Sequence, residues 1–65
     1  MRSFNGSILQ DARLDLGLTQ EALGAKIGVG KSSICEWEAG KRLPPTKFLP
    51  LLADALRITI DQLFT

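Results

Sequence analysis

Histidine is absent from this 65-residue chain, and cysteine occurs once, at Cys35. One thiol without an imidazole cannot supply the nitrogen and sulfur ligand set that holds zinc. Nor can a lone cysteine close an internal disulfide, so no bridge staples the fold. No apolar run approaches the roughly 18 residues that a membrane-spanning helix needs, and no long apolar stretch near the N-terminus reads as a secretory leader. Without histidine the commonest general acid and base is missing, and no glycine-rich phosphate-binding loop is present. The chain is therefore expected to carry no cofactor and no metal, to stay out of the membrane, and not to be an enzyme.

What remains fits one domain, residues 1–65. A domain of about 60 residues buries only roughly 60 % of the surface that its unfolded chain exposes, so the core is thin. Hydrophobic residues make up 45 % of the chain, an ordinary share for a folded protein. The formal net charge is only +1, but it is unevenly spread. Residues 26–50 hold Lys26, Lys31, Lys41, Arg42 and Lys47 against Glu36 and Glu38, a net +3, and each flanking segment is net −1. The cationic middle is either a polyanion-facing surface or an ordinary solvated one.

Gly17, Gly28, Gly40 and the pair Pro44–Pro45 cut the chain into short segments whose apolar residues recur at helical spacing. The spacing predicts five helices in an all-α bundle. The first runs from Ser7 to Leu16, capped by Asn5 or Ser7, with Leu9, Ala12 and Leu16 inward. The second covers Gln20–Ile27 behind the cap Thr19, and the third covers Lys31–Ala39. The fourth follows the cap Thr46 and reaches Leu56, with Pro50 tolerated only if the helix starts late. The fifth is short, Ile60–Phe64, and Thr59 with Gln62 has the form of a reciprocal capping pair. No segment alternates long enough to be a strand.

Residues 20–39 carry the motif. Two short helices joined by a glycine-containing turn make a helix-turn-helix. Leu23, Ile27, Val29, Ile34 and Trp37 are spaced to point inward. Gly24 stands where the two helices approach most closely, and Gly28 makes the turn.

From Leu9 to Phe64 the chain resembles the phage lambda repressor and Cro class of regulators, the Xre family. LGLTQEALGAKIGVGKSSICEWEAGKRLPP resembles that family's first-helix end, motif and following loop, and FLPLLADALRITIDQLF its last two helices. The resemblance implies a cytoplasmic, bacterial or phage-encoded protein that binds double-stranded operator DNA as a homodimer. It implies a transcriptional regulator, a repressor in the first place. A restriction-modification controller, or an antitoxin that also binds a protein partner, is the alternative.

Placed on this chain, the third helix enters the major groove with Lys31, Ser32, Cys35 and Glu36 toward the bases. Lys31 is suited to guanine O6 and N7. Cys35 meets a thymine methyl or a sugar. Glu36 either accepts from cytosine N4 or is a surface charge paired with a nearby lysine. Gln20, Ser33, Lys41, Arg42 and Lys47 are the candidate phosphate contacts, the last three being alternatively plain solvated cations. In the family an arginine late in the first helix often meets a glutamate late in the third, which here means Arg13 and Glu38. The resemblance also implies a dimer surface at Arg57, Ile58, Thr59, Gln62 and Phe64. Arg57 departs from the glycine or asparagine common at its position, and Gly30 from the usual serine or threonine cap.

Overall fold

The side chains of Asn5 and Thr19 start the first two helices, accepting from the backbone N–H groups of Ser7 and Ala22. In this computed structural model, which describes residues 2–65, the helices that follow are α1 (Gly6–Asp15), α2 (Gln20–Ile27), α3 (Lys31–Glu38) and α4 (Leu49–Leu56). Single 3-10 turns, Thr46–Phe48 and Asp61–Leu63, stand before and after α4. The described residues thus hold four α-helices rather than five.

The reason lies in the last segment. The Thr59–Gln62 pair forms as expected: Thr59 N–H donates to Gln62 Oε1 at 2.8 Å, and Gln62 N–H to Thr59 Oγ1 at 3.2 Å. The helix it starts is stopped after one turn, because Phe64 is extended and joins an antiparallel bridge with Phe4. Ser3 and Thr65 exchange backbone hydrogen bonds of 2.8 and 2.9 Å beside it, and the Phe4 and Phe64 rings meet edge-on at 6.0 Å. The two ends of the chain are therefore clasped together.

Thr46 does not cap α4; it opens the 3-10 turn. Leu49 N–H bonds to Thr46 O, and α4 begins at Leu49 with Pro50 in its first turn, where the missing N–H would have had no partner. Leu16 is exposed rather than inward, because α1 ends at Asp15 and Leu16 is its cap. Ala39 likewise caps α3 instead of belonging to it.

All four α-helices end in one way. A left-handed residue follows each, and the next N–H reaches back five residues: Leu18 to Arg13 O, Val29 to Gly24 O, Lys41 to Glu36 O, Ile58 to Ala53 O. Glycine supplies the left-handed residue in three cases; at α4 it is Arg57, with φ 60°. One apolar cluster fills the interior: Leu9, Leu23, Ile27, Ile34, Trp37, Leu52, Leu56 and Leu63.

Candidate nucleic-acid interface

Helix α3 is anchored from one side. Ile34 has no exposed surface, Trp37 is buried, and the indole centroid lies 5.7 Å from that of Phe48. The 3.6-residue period then turns Lys31, Ser32 and Cys35 outward, with Glu36 half-buried beside them. Gly30 caps the helix without a side-chain bond. Val29 is half-buried at the edge of the core rather than within it.

The approach of α2 to the turn leaves no room for a side chain. A Cβ on Gly24 would sit 2.5 Å from the carbonyl oxygen of Val29. Gly28 takes φ 83°, a conformation that costs other L-residues roughly 1–2 kcal/mol. A second close approach was not legible in the sequence: a Cβ on Gly6 would strike the carbonyl oxygens of Trp37 and Glu38. The start of α1 thus rests on the end of α3.

One polar network ties these elements together. Arg13 Nε donates to Glu38 Oε2 at 2.6 Å and Nη2 to Glu38 Oε1 at 3.1 Å, while Nη1 donates to Leu18 O at 2.8 Å. The two side chains are 8 % and 4 % exposed. Gln20, the first residue of α2, adds Nε2 to Glu38 Oε1 at 3.0 Å. The hydrogen bonds to Glu38 hold the Arg13 guanidinium above its ordinary pKa, against the opposing effect of burial. A raised pKa in the folded state adds stability that is lost as pH rises through the arginine range, so titration of Arg13 does not change this contribution near neutral pH. No buried side-chain nitrogen or oxygen among the described residues lacks a partner.

The loop after α3 carries the exposed Lys41 and Arg42. Their N–H groups both reach Glu36 O, at 2.9 and 3.4 Å, which holds the loop to the helix end. The Arg42 guanidinium lies 3.6 Å from the Glu36 carboxylate, with the side chains 71 % and 40 % exposed. Glu36 therefore has a cationic neighbour, an arginine where a lysine was expected. Ser33 is half-buried on α3. Lys47 is turned onto the Phe48 ring, its Nζ 5.3 Å from the centroid.

At the far end, Arg57, Thr59 and Gln62 are exposed, whereas Ile58 and Phe64 are half-buried against the core. Gln20 also has a partner inside the protein that the sequence does not reveal: its bond to Glu38 joins positions 18 residues apart, which only the helix crossing brings together. No helix among the described residues is long and apolar enough to cross a membrane.

A helix-turn-helix family profile matches residues 9–63. The chain is 35 % identical over 57 residues to the HTH-type transcriptional activator BcrR of Enterococcus faecalis, covering 88 % of this chain and 28 % of that protein. It is 36 % identical over 55 residues to the cryptic phage CTXphi transcriptional repressor RstR of Vibrio cholerae, covering 85 % of this chain and 49 % of that one. It thus spans half or less of the curated relatives it matches. Among solved structures it superposes on the P22 c2 repressor, crystallised with a synthetic operator, at a TM-score of 0.88 and 31 % identity, covering 94 % of this chain and 92 % of that one. With its glycine turn, its inward Ile34 and Trp37 and a profile match over nearly its whole length, the chain belongs to the helix-turn-helix family.

Proposed function

We propose that this chain binds duplex DNA sequence-specifically and regulates transcription, with α3 lying in the major groove. The observation that carries this reading is the two-sidedness of α3. Its Ile34–Trp37 side is closed by the core and its Lys31–Ser32–Cys35 side is open, at the end of the helix that reaches base edges in such motifs. The similarity to a repressor crystallised with a synthetic operator supports it. So does the net positive charge of the middle of the chain, which borders that face.

In this reading Lys31, Ser32, Cys35 and Glu36 face the bases. Gln20, Ser33, Lys41 and Arg42 face phosphates, with Lys47 held back by its ring contact. The chain acts as a homodimer on a two-fold symmetric operator, with half-sites about one helical turn apart. The exposed Arg57, Thr59 and Gln62 form the meeting surface, since Ile58 and Phe64 are largely committed to the chain's own core. Repression follows where that operator overlaps a promoter.

The test is selection of bound duplexes from a randomised library, followed by footprinting. A symmetric consensus with two protected half-sites is expected. Lys31→Ala is expected to relax base preference at one position, and Arg42→Ala to weaken binding to every duplex about equally. Recovery of duplexes with no common sequence, or equal losses for both variants on all sequences, would refute the assigned roles.

A further inference from the structure

We propose that Glu38 is a positioning residue for DNA binding: with Arg13 it fixes the orientation of the Gln20 side-chain amide at the start of α2. The proposal rests on the phosphate contact assigned to Gln20 above. A glutamine amide offers two N–H donors on one side and a carbonyl acceptor on the other. Turned freely, it presents either to a phosphate, and the carbonyl would be repelled. Here Gln20 Nε2 lies 3.0 Å from Glu38 Oε1. A carboxylate paired with a guanidinium only accepts, so the nitrogen must face it, and one N–H is left over for a phosphate oxygen.

The carboxylate cannot turn away. Arg13 grips both of its oxygens, at 2.6 and 3.1 Å, and is itself tied to Leu18 O at 2.8 Å. Glu38 also cannot leave for solvent, since its side chain is 4 % exposed. Arg13 has a second effect. An unpaired carboxylate this close to a DNA-binding surface would repel the phosphates, and the guanidinium cancels that charge. The ordering of the amide is completed on folding, so the entropic cost of fixing it is not incurred again when DNA arrives.

A double-mutant cycle tests this, with affinity measured for the best duplex from the selection, at a temperature where melting curves show every variant folded. Gln20→Ala leaves the Arg13–Glu38 pair intact and is expected to weaken binding about tenfold per subunit, the loss of one hydrogen bond to a charged group. Glu38→Gln should weaken wild-type binding, but change the affinity of the Gln20→Ala variant by no more than about twofold. Equal losses from Glu38→Gln in both backgrounds would mean that Glu38 acts through the fold alone, and would overturn the proposal while sparing the phosphate contact. No loss for Gln20→Ala would overturn the phosphate contact and this proposal with it. Where Glu38→Gln fails to fold, NMR relaxation of the Gln20 side-chain amide in the DNA-free wild type decides. An amide as ordered as the α2 backbone supports positioning, and one as mobile as an exposed glutamine overturns it.

Discussion

Replacing Arg13 by methionine probes the polar network directly. The change removes three hydrogen bonds, two to Glu38 and one to Leu18 O, and leaves the Glu38 carboxylate 4 % exposed with only the Gln20 amide beside it. Breaking a buried pair from one side costs about 3–5 kcal/mol, because the surviving charge stays desolvated. A 65-residue domain at about 0.05–0.15 kcal/mol per residue has roughly 3–10 kcal/mol to lose. The melting midpoint should therefore fall by roughly 12–40 °C, at about 4–8 °C per kcal/mol. Circular dichroism in a urea titration at fixed temperature measures the loss without extrapolating from the midpoint. The paired change Arg13→Met with Glu38→Leu removes both charges. It should recover most of the loss, leaving a deficit of about 1 kcal/mol at the bare Leu18 carbonyl. The exposed Arg42–Glu36 pair is the internal control, and Arg42→Met should cost less than about 1 kcal/mol. An Arg13→Met loss as small as the control's, or a double variant that loses the sum of its singles, would refute the reasoning.

Gly24→Ala should destabilise by about 1–3 kcal/mol in the same titration, because the new methyl meets the Val29 backbone, which cannot rotate aside as a side chain could. Arg57→Gly should stabilise by about 0.5–1 kcal/mol. It relieves a left-handed arginine at φ 60°, and the strain of about 1–2 kcal/mol exceeds glycine's entropic penalty. Lys41→Ala should reduce the slope of log affinity against log salt by about 1 if Lys41 neutralises a phosphate, and leave it unchanged otherwise.

The helix-turn-helix itself was legible because its evidence is periodic and local. Leu23, Ile27, Ile34 and Trp37 recur at helical spacing, and Gly24 and Gly28 mark the crossing and the turn. The Arg13–Glu38 pair came through the resemblance alone; nothing in the spacing of two charges 25 residues apart says that they meet. Gln20 as its third member, and Gly6 as the seat for the end of α3, depend on how whole helices cross, and a period within one helix carries no such information. The clasp of Phe4 with Phe64 is a single bridge, too short to leave an alternating pattern. It also explains why the expected fifth helix is a single turn: the cap at Thr59 forms, but the element it starts is cut short by the bridge with Phe4.

Hydrophobic burial is non-directional. It can hold α3 against the core by Ile34 and Trp37, but it fixes poorly how far the helix rotates about its own axis, and that rotation decides which side chains face outward. In so thin a core the directional work falls to the hydrogen bonds at the helix ends. The Arg13–Glu38–Gln20 network supplies it at the C-terminal end of α3, where burial closes the Arg13–Glu38 pair off from exchange with solvent. The second ion pair has the opposite character. Arg42 and Glu36 meet at 3.6 Å in water, so their separation costs under about 1 kcal/mol. In the proposed complex a phosphate would therefore draw Arg42 away and leave Glu36 free to accept from a cytosine amino group. The two pairs thus divide the requirements of the proposed interface: a buried one that must not open sets the angle of the helix, and an exposed one that opens readily hands its partners to the nucleic acid.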